Sequence, residues 1–388
     1  MIVYVRTQGA RILREGRHLL VRNPGDDSTR TLFIYRLKQI VAVGNVTITP
    51  PALKLLLREG IDTVFLRTDG RYMGRLASPE PKNVFLRRRQ FALLDDEQFC
   101  LKAARSVVAG KLANMTTVLQ RIQRTRKDPK AGDAATEIRN NLKKLESAAS
   151  VETIRGLEGH SAALYFPAFG RGLDRDFGFR KRVRRPPTDP VNSVLSLLYT
   201  FLINRAYAAV RLAGLDPYPG VLHSLEYGRH SLPLDLVEEF RSILADTLTL
   251  SLFNLGILKE DDFYSLEPLP EQGYDDGSDL IESACNDRIG RMSDEGEGEM
   301  FDLPDQRLDE TPDAGEARGG KPAVRLYPPA FSRLVQAFEK KITTEFFHPL
   351  AGKRLTYGDA MNYQARQFRS LVEGELREYQ PLLLKRQS

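Results

Sequence analysis

The chain has 388 residues, 41% of them hydrophobic, a formal net charge of +6 and two cysteines. That length allows two domains with buried cores, and Cys100 and Cys285, far apart and outside any CxxC pairing, exclude a disulfide framework and a cysteine zinc site. No uninterrupted apolar run approaches the roughly 18–20 residues of a membrane span, and the start turns polar too soon for a signal peptide, so a cytoplasmic protein without a membrane partner is expected.

The first 80 or so residues read as β-rich. "MIVYVRTQGARILREGRHLLV" alternates apolar and polar residues around turn signals, "TLFIYRLKQIVAVGNVTIT" continues the pattern, and "GIDTVFLRTDGRYMGRLA" has the form of a hairpin turning at Asp69-Gly70. "PPALKLLLREG" interposes a short helix with Pro at its start and Gly60 at its end. The prolines of "SPEPKN" mark a linker, which divides the chain into 1–77, a linker at 78–84, and 85–388.

Beyond the linker the pattern is helical. "VFLRRRQFALLDDEQFCLKAARSVVAGKLANMTTVLQRIQRTRK" carries long helix-forming runs, "PKAGD" is expected to break them, and a further helix covers about 134–149. "SVETIRGLEGHSAALYF" is the next helix. "RKRVRRPPTDPVN" then places five cations in the six positions 180–185, a proline pair, and Asp189-Pro190 as a helix cap. The helix so opened is apolar on most sides up to Leu202 and belongs at the centre of the helical domain. Helical periodicity returns at "PPAFSRLVQAFEKKITTEFF" and "TYGDAMNYQARQFRSLVEGEL", and no internal repeat is visible. The fold class is α+β, a small N-terminal β-rich domain followed by a larger all-α domain.

Charge is unevenly spread. Residues 267–316 hold 17 Asp and Glu against three Arg, a local charge of −14 that leaves +20 on the other 338 residues. The segment is rich in Gly and Pro, poor in large apolar residues, and reads as a disordered insertion. The basic surplus suits a polyanionic partner, nucleic acid foremost, although a generally basic surface also explains it.

The chemistry centres on "GVLHSLEYGRHSLPLDLVEEFR", which puts His223 twelve residues before Asp235 and fifteen before Glu238. On a helix over 233–250, Leu236, Val237, Phe240, Ile243, Leu244 and Leu248 fill one arc; Asp235, Glu238, Glu239 and Asp246 fill the other. Two readings are open: a solvated acidic face, or carboxylates that serve a site. Glu158 shifts the balance, because it lies in the apolar stripe of Ile154, Leu157, Leu164 and Tyr165. An inward carboxylate is costly without a cation, a metal or hydrogen bonds. Gly156 and Gly159 flank it, each costing the helix roughly 1 kcal/mol against Ala, as expected if a neighbouring element comes close. One His with two or three carboxylates suits Mn²⁺ or Mg²⁺ better than structural zinc. His160 points away from the Glu158 stripe and His230 lies in the basic turn before the helix; both are alternative ligands, while His18 and His348 read as structural or exposed. There is no Walker loop, GxGxxG, GxSxG elbow or zinc-deaminase signature, and no serine near His223 has a triad setting.

Together these segments resemble the CRISPR-associated spacer-acquisition integrase family, the universal first Cas protein. The resemblance rests on "RRPPTDPVNSVLSLLYTFLINRAYAAVRLAGLDPYPGVLH" followed by "GRHSLPLDLVEEFR", on "LEGHSAALYF", and on "EFFHPLAGKRLTYGDAMNYQARQF" near the end; it spans nearly everything except 267–316. It implies Glu158, His223 and Glu238 as ligands for Mg²⁺ or Mn²⁺, with Asp235 as a nearby fourth carboxyl that orients a water or a ligand. Glu238 stands where relatives have Asp, and Pro233 where a small residue is more usual. The implied reaction joins short DNA fragments into a CRISPR array through attack of a DNA 3′-hydroxyl at a repeat boundary, with associated endonuclease activity. Since DNA brings the nucleophile, none is needed from the protein. Arg180, Lys181, Arg182, Arg184 and Arg185 are expected on phosphates, and Tyr165 and Tyr199 either position DNA ends or pack the core. The resemblance also implies a homodimer through the β domain, assembled on a small second Cas protein. The competing readings are a non-catalytic DNA-binding scaffold and a metal-dependent nuclease of branched DNA.

Overall fold

A computed structural model describes residues 2–25, 28–67, 72–76, 83–184, 186–223, 225–266 and 322–384. The Asp69-Gly70 turn, most of the 78–84 linker, Arg185, Cys285 and the segment 267–316 lie outside the described residues.

Alternating strands in the first 76 residues build two four-stranded sheets. In one, β1 (Ile2–Val5), β5 (Gln39–Val43) and β7 (Asp62–Leu66) run parallel, and β8 (Tyr72–Leu76) pairs antiparallel with β7. The other is ordered β4 (Thr29–Phe33), β3 (His18–Arg22), β2 (Ala10–Glu15), β6 (Val46–Ile48), with only the last pair parallel. Helix α1 (Pro50–Arg58) links β6 to β7 with Pro50 in its first turn. Ile12, Leu19, Val21, Leu32 and Ile40 close a small core with Leu55 and Leu56 of α1. Val41, Val43, Val64 and Leu66 point the opposite way, into the core of the helical part. Strand β5 is therefore buried on both faces, which is why "QIVAV" carries an almost continuous apolar run.

The helical part comprises α2 (Val84–Ala92), α3 (Glu97–Arg126), α4 (Pro129–Lys144), α5 (Val151–Gly170), α6 (Pro190–Leu212), α7 (Ser231–Phe240), α8 (Thr247–Asn254), α9 (Pro328–Ile342) and α10 (Tyr357–Glu373). Two short antiparallel ribbons sit within it, β9 (Phe263–Leu266) with β10 (Ala323–Leu326) and β11 (Glu345–His348) with β12 (Lys353–Thr356). The "PKAGD" stretch opens α4 rather than breaking a helix: Asp128 accepts from the Ala131 N–H at 3.1 Å and Pro129 takes the first turn. By length and composition α6 is apolar enough to cross a membrane, yet 67% of its most apolar stretch is buried in protein. It is the central core helix that its sequence predicts.

The β-rich part is fastened to the helices by charge and ring contacts. The Arg75 guanidinium lies 3.8 Å from the Tyr207 ring centroid and donates to Asn204 Oδ1 at 3.2 Å. Tyr4 donates to Glu339 Oε1 at 3.0 Å, an oxygen that Arg205 shares.

Candidate metal centre

The acidic arc of α7 is not solvated. Asp235, Glu238, Glu239 and Asp246 are all 2% exposed or less. Beyond Phe240 the helix continues as a π segment, Arg241–Asp246, a geometry that recurs at functional sites. Each of the four carboxylates has a different occupation. Glu239 accepts from Tyr379 Oη at 2.8 Å, from Gln364 Nε2 and from the Leu382 N–H, tying the C-terminal stretch down; burial still lifts its pKa to about 8. Asp246 accepts from the hydroxyls of Tyr165 and Tyr199, both at 2.8 Å. Those two tyrosines are buried and bonded to Asp246, which favours core packing of the two roles open for them.

Asp235 organises the loop that carries His223. Its Oδ2 accepts from the backbone N–H of Val221 at 2.6 Å and of Leu222 at 3.0 Å; its Oδ1 accepts from the His223 N–H at 3.0 Å and pairs with His223 Nδ1 at 2.6 Å. Every lone-pair direction of Asp235 is thus in use on the loop and the imidazole. The loop can pass this close only because of Gly220. A Cβ there would lie 2.7 Å from Ser231 Cβ and 2.8 Å from Asp235 Oδ2. Holding Nδ1 leaves His223 Nε2 turned toward Glu238, 4.0 Å from Oε1.

Glu238 and Glu158 meet across one cation. Lys111, on α3, is buried, and its Nζ lies 2.5 Å from Glu158 Oε1 and 2.5 Å from Glu238 Oε2. One ammonium thus compensates an oxygen of each carboxylate. Arg241 Nε stands 3.3 Å from Oε1 of the same carboxylate. Burial alone would raise the Glu238 pKa, but Arg241, Lys111 and His223 outweigh it and bring it down to about 2. The same carboxylates raise the pKa of Lys111 against its own burial. Both sides of the pair are thus charged at neutral pH. Lys111 was not singled out from the sequence, although its phase shows it: it continues the apolar stripe Ala104, Val107, Val108, Leu112, Met115 of α3, a cation aimed inward to match an inward Glu158.

Among the described residues, no three His, Cys, Asp or Glu side chains already converge as a metal site. The donors nevertheless fit a hard divalent cation: two carboxylates that already share one cation, and one imidazole with its remaining nitrogen turned toward Glu238. What stands between the carboxylates is the Lys111 ammonium. Glu158 is half-buried, with 24% of its side chain exposed, so the site opens on the α5 side. Gly156 and Gly159 lie on that helix, and a Cβ at either would meet nothing within 4 Å. The expected close approach of a neighbouring element is therefore absent.

The other sequence-predicted residues divide. His160 Nδ1 pairs with Asn141 Nδ2 at 2.9 Å, away from the site. His230 is packed between the Tyr207 and Tyr218 rings, 4.9 and 4.6 Å between centroids, and its pKa is lowered to about 4 by burial and by Arg75. Of the basic stretch, Lys181 and Arg184 are exposed, and Arg180 is exposed but held by Asp176 at 2.5 Å. Arg182 turns inward, donating to Val183 O, Asn192 Oδ1 and Ser196 Oγ at 2.8, 2.9 and 3.0 Å. Asn192 also donates to Asp189 and to Lys181 O, so the Asp-Pro-x-Asn cap of α6 doubles as the clasp of this stretch.

Comparison with known proteins gives the family. The family model described as CRISPR associated protein Cas1 matches residues 3–268. The chain is 32% identical over 385 residues to the CRISPR-associated endonuclease Cas1 3 of Thermus thermophilus, covering 99% of this chain and 97% of that one. Its fold is shared with a casposase bound to integration product (TM-score 0.75, 18% identity, 98% and 92% of the two chains). It is shared as well with a chain of a Cas6-RT-Cas1–Cas2 complex (TM-score 0.75, 23% identity, 99% of this chain and 36% of that one). By a family match over most of its length and a relative alike from end to end, the chain belongs to the CRISPR-associated Cas1 family.

Proposed function

We propose that this protein is a DNA strand-transfer enzyme of CRISPR adaptation, joining short duplexes into a repeat array and cutting DNA at the same site. The observation that carries the proposal is the pairing of Glu158 and Glu238 across a single cation position, with His223 held beside it by Asp235. Glu158, His223 and Glu238 would hold one Mg²⁺ or Mn²⁺, which when bound supplies Lewis acidity at the scissile phosphate. The chain's own groups do the rest. Asp235 fixes the imidazole tautomer and direction, and Arg241, beside Glu238, keeps that carboxylate ionised. The 3′-hydroxyl of the incoming DNA attacks phosphorus in line and the repeat strand leaves with its own 3′-oxygen, so no protein nucleophile is consumed.

DNA, a second copy of the chain and a small second Cas protein are the proposed partners, in a cytoplasmic assembly. The fold shared with casposase and with a Cas2-containing complex supports the first and the last. Lys181 and Arg184 are the proposed phosphate contacts, with Arg180 beside them and Arg185 outside the described residues. The test is incubation of the purified protein and its small partner with Mn²⁺ or Mg²⁺, a short duplex and a repeat-containing plasmid. Joined products support the proposal. Cutting without joining favours the nuclease, and binding with neither favours the scaffold.

A further inference from the structure

The geometry points to a role for Lys111 that deepens this reading and rests on its ligand set: we propose that Lys111 is a tethered cation that occupies the metal position and must leave it before a divalent ion can bind. An ion bonded to one oxygen of each carboxylate sits about 2.0–2.2 Å from both. The Lys111 nitrogen already lies 2.5 Å from Glu158 Oε1 and 2.5 Å from Glu238 Oε2. The two cannot share that position, both by size and by like charge. Charge balance gives the same result. The two charges of Glu158 and Glu238 are matched by those of Lys111 and Arg241. Adding a dication with Lys111 in place would leave an excess of two positive charges in a buried setting.

A lysine suits displacement because its stem is flexible and its ammonium is a compact point charge. Space for the exit exists on the α5 side, where Glu158 is partly exposed. The buried Arg241 stands by Glu238 Oε1, while Lys111 is on Oε2, and so remains behind as a counter-charge. Lys111 thus holds the carboxylates at working distance when no metal is present, and it weakens metal affinity by the work of its removal.

The test uses the loss of free Mn²⁺ signal in electron paramagnetic resonance to titrate the full-length protein, Lys111→Met, Arg241→Met and Glu238→Gln. Lys111→Met, unbranched, uncharged and one atom shorter so that it clears the position, is expected to bind Mn²⁺ at least tenfold tighter than the natural chain. Arg241→Met removes an equal charge without clearing the position and gains less, and Glu238→Gln loses tight binding. Equal or weaker binding by Lys111→Met, with the natural chain binding normally, overturns the proposal. Absence of binding by both overturns the ligand set itself. If Lys111→Met does not fold, acetylation of the natural chain read by mass spectrometry decides: Lys111 should be protected without metal and modified several-fold faster at saturating Mn²⁺. Unchanged reactivity overturns displacement.

Discussion

Replacing Asp235 tests whether the His223 loop is built as described. The carboxylate is fully buried and accepts from three backbone N–H groups and the His223 ring. Asp235→Ala strands four donors, and each buried donor left unsatisfied costs about 1–3 kcal/mol. The total, roughly 4–12 kcal/mol, rivals the ~5–15 kcal/mol that keeps a domain folded, so this variant should be grossly destabilised. Asp235→Asn is the sharper probe. Its remaining oxygen can serve the Val221 and Leu222 N–H groups, while its amide N–H₂ faces the donors of His223. The His223 backbone N–H is then the stranded donor, about 1–3 kcal/mol, and the imidazole, which now accepts from the amide at Nδ1, places its proton on Nε2. Losing such a supporting partner typically weakens metal affinity about 10–100-fold. Denaturant unfolding and Mn²⁺ titration of both variants read the two effects separately. Natural stability and natural Mn²⁺ affinity in Asp235→Asn would refute the idea that this carboxylate organises the loop.

Charge reversal at Lys181 and Arg184 should weaken binding to unrelated duplexes and lower the salt slope by nearly one for each phosphate no longer neutralised, whereas Arg182→Ala should lower stability by removing its bonds to Val183, Asn192 and Ser196; the reverse pattern in filter binding and melting would show the stretch misplaced. His230 is depressed to about 4 against an ordinary 6.5, so the unfolded chain binds the extra proton first and stability falls as pH drops from 6.5 to 4, by about 3 kcal/mol. Melts of His230→Phe across that window should show a flatter slope, and an unchanged slope would refute it. Gly159→Ala should stabilise α5 by up to about 1 kcal/mol, since nothing lies near the new Cβ, and a lowered melting temperature would contradict this. Replacing 267–316, with its −14 against +20 elsewhere, by a Gly/Ser linker should tighten binding to random duplex at low salt, the gain fading as ionic strength rises; equal affinities across a salt series would retire that competition.

The β-rich and helical halves are legible in the sequence because alternation and helical period are local signals. The "PKAGD" stretch is ambiguous because Asp-Pro can open a helix as readily as a loop can end one, and only the Asp128 cap decides. Glu158, His223 and Glu238 stand out through residue type, phase and family resemblance. The occupations of their neighbours do not. Glu239 looks like surface acid until Tyr379 and Leu382, some 140 residues further on, are seen to close over it. Arg182 looks like a phosphate contact until Asn192 and Ser196 take its guanidinium. Such pairings are set by tertiary approach, on which periodicity is silent. The inward phase of Lys111 is visible and is the transferable signal: a lone cation in one apolar stripe and a lone acid in another belong together.

The most direct test is anomalous diffraction at the manganese edge from crystals of the full chain soaked in Mn²⁺. The account predicts one strong peak about 2.0–2.3 Å from an oxygen of Glu158, an oxygen of Glu238 and Nε2 of His223, with the Lys111 side chain turned away toward the open face of α5. A saturated crystal with Lys111 still between the carboxylates, or with manganese bound elsewhere, would contradict it.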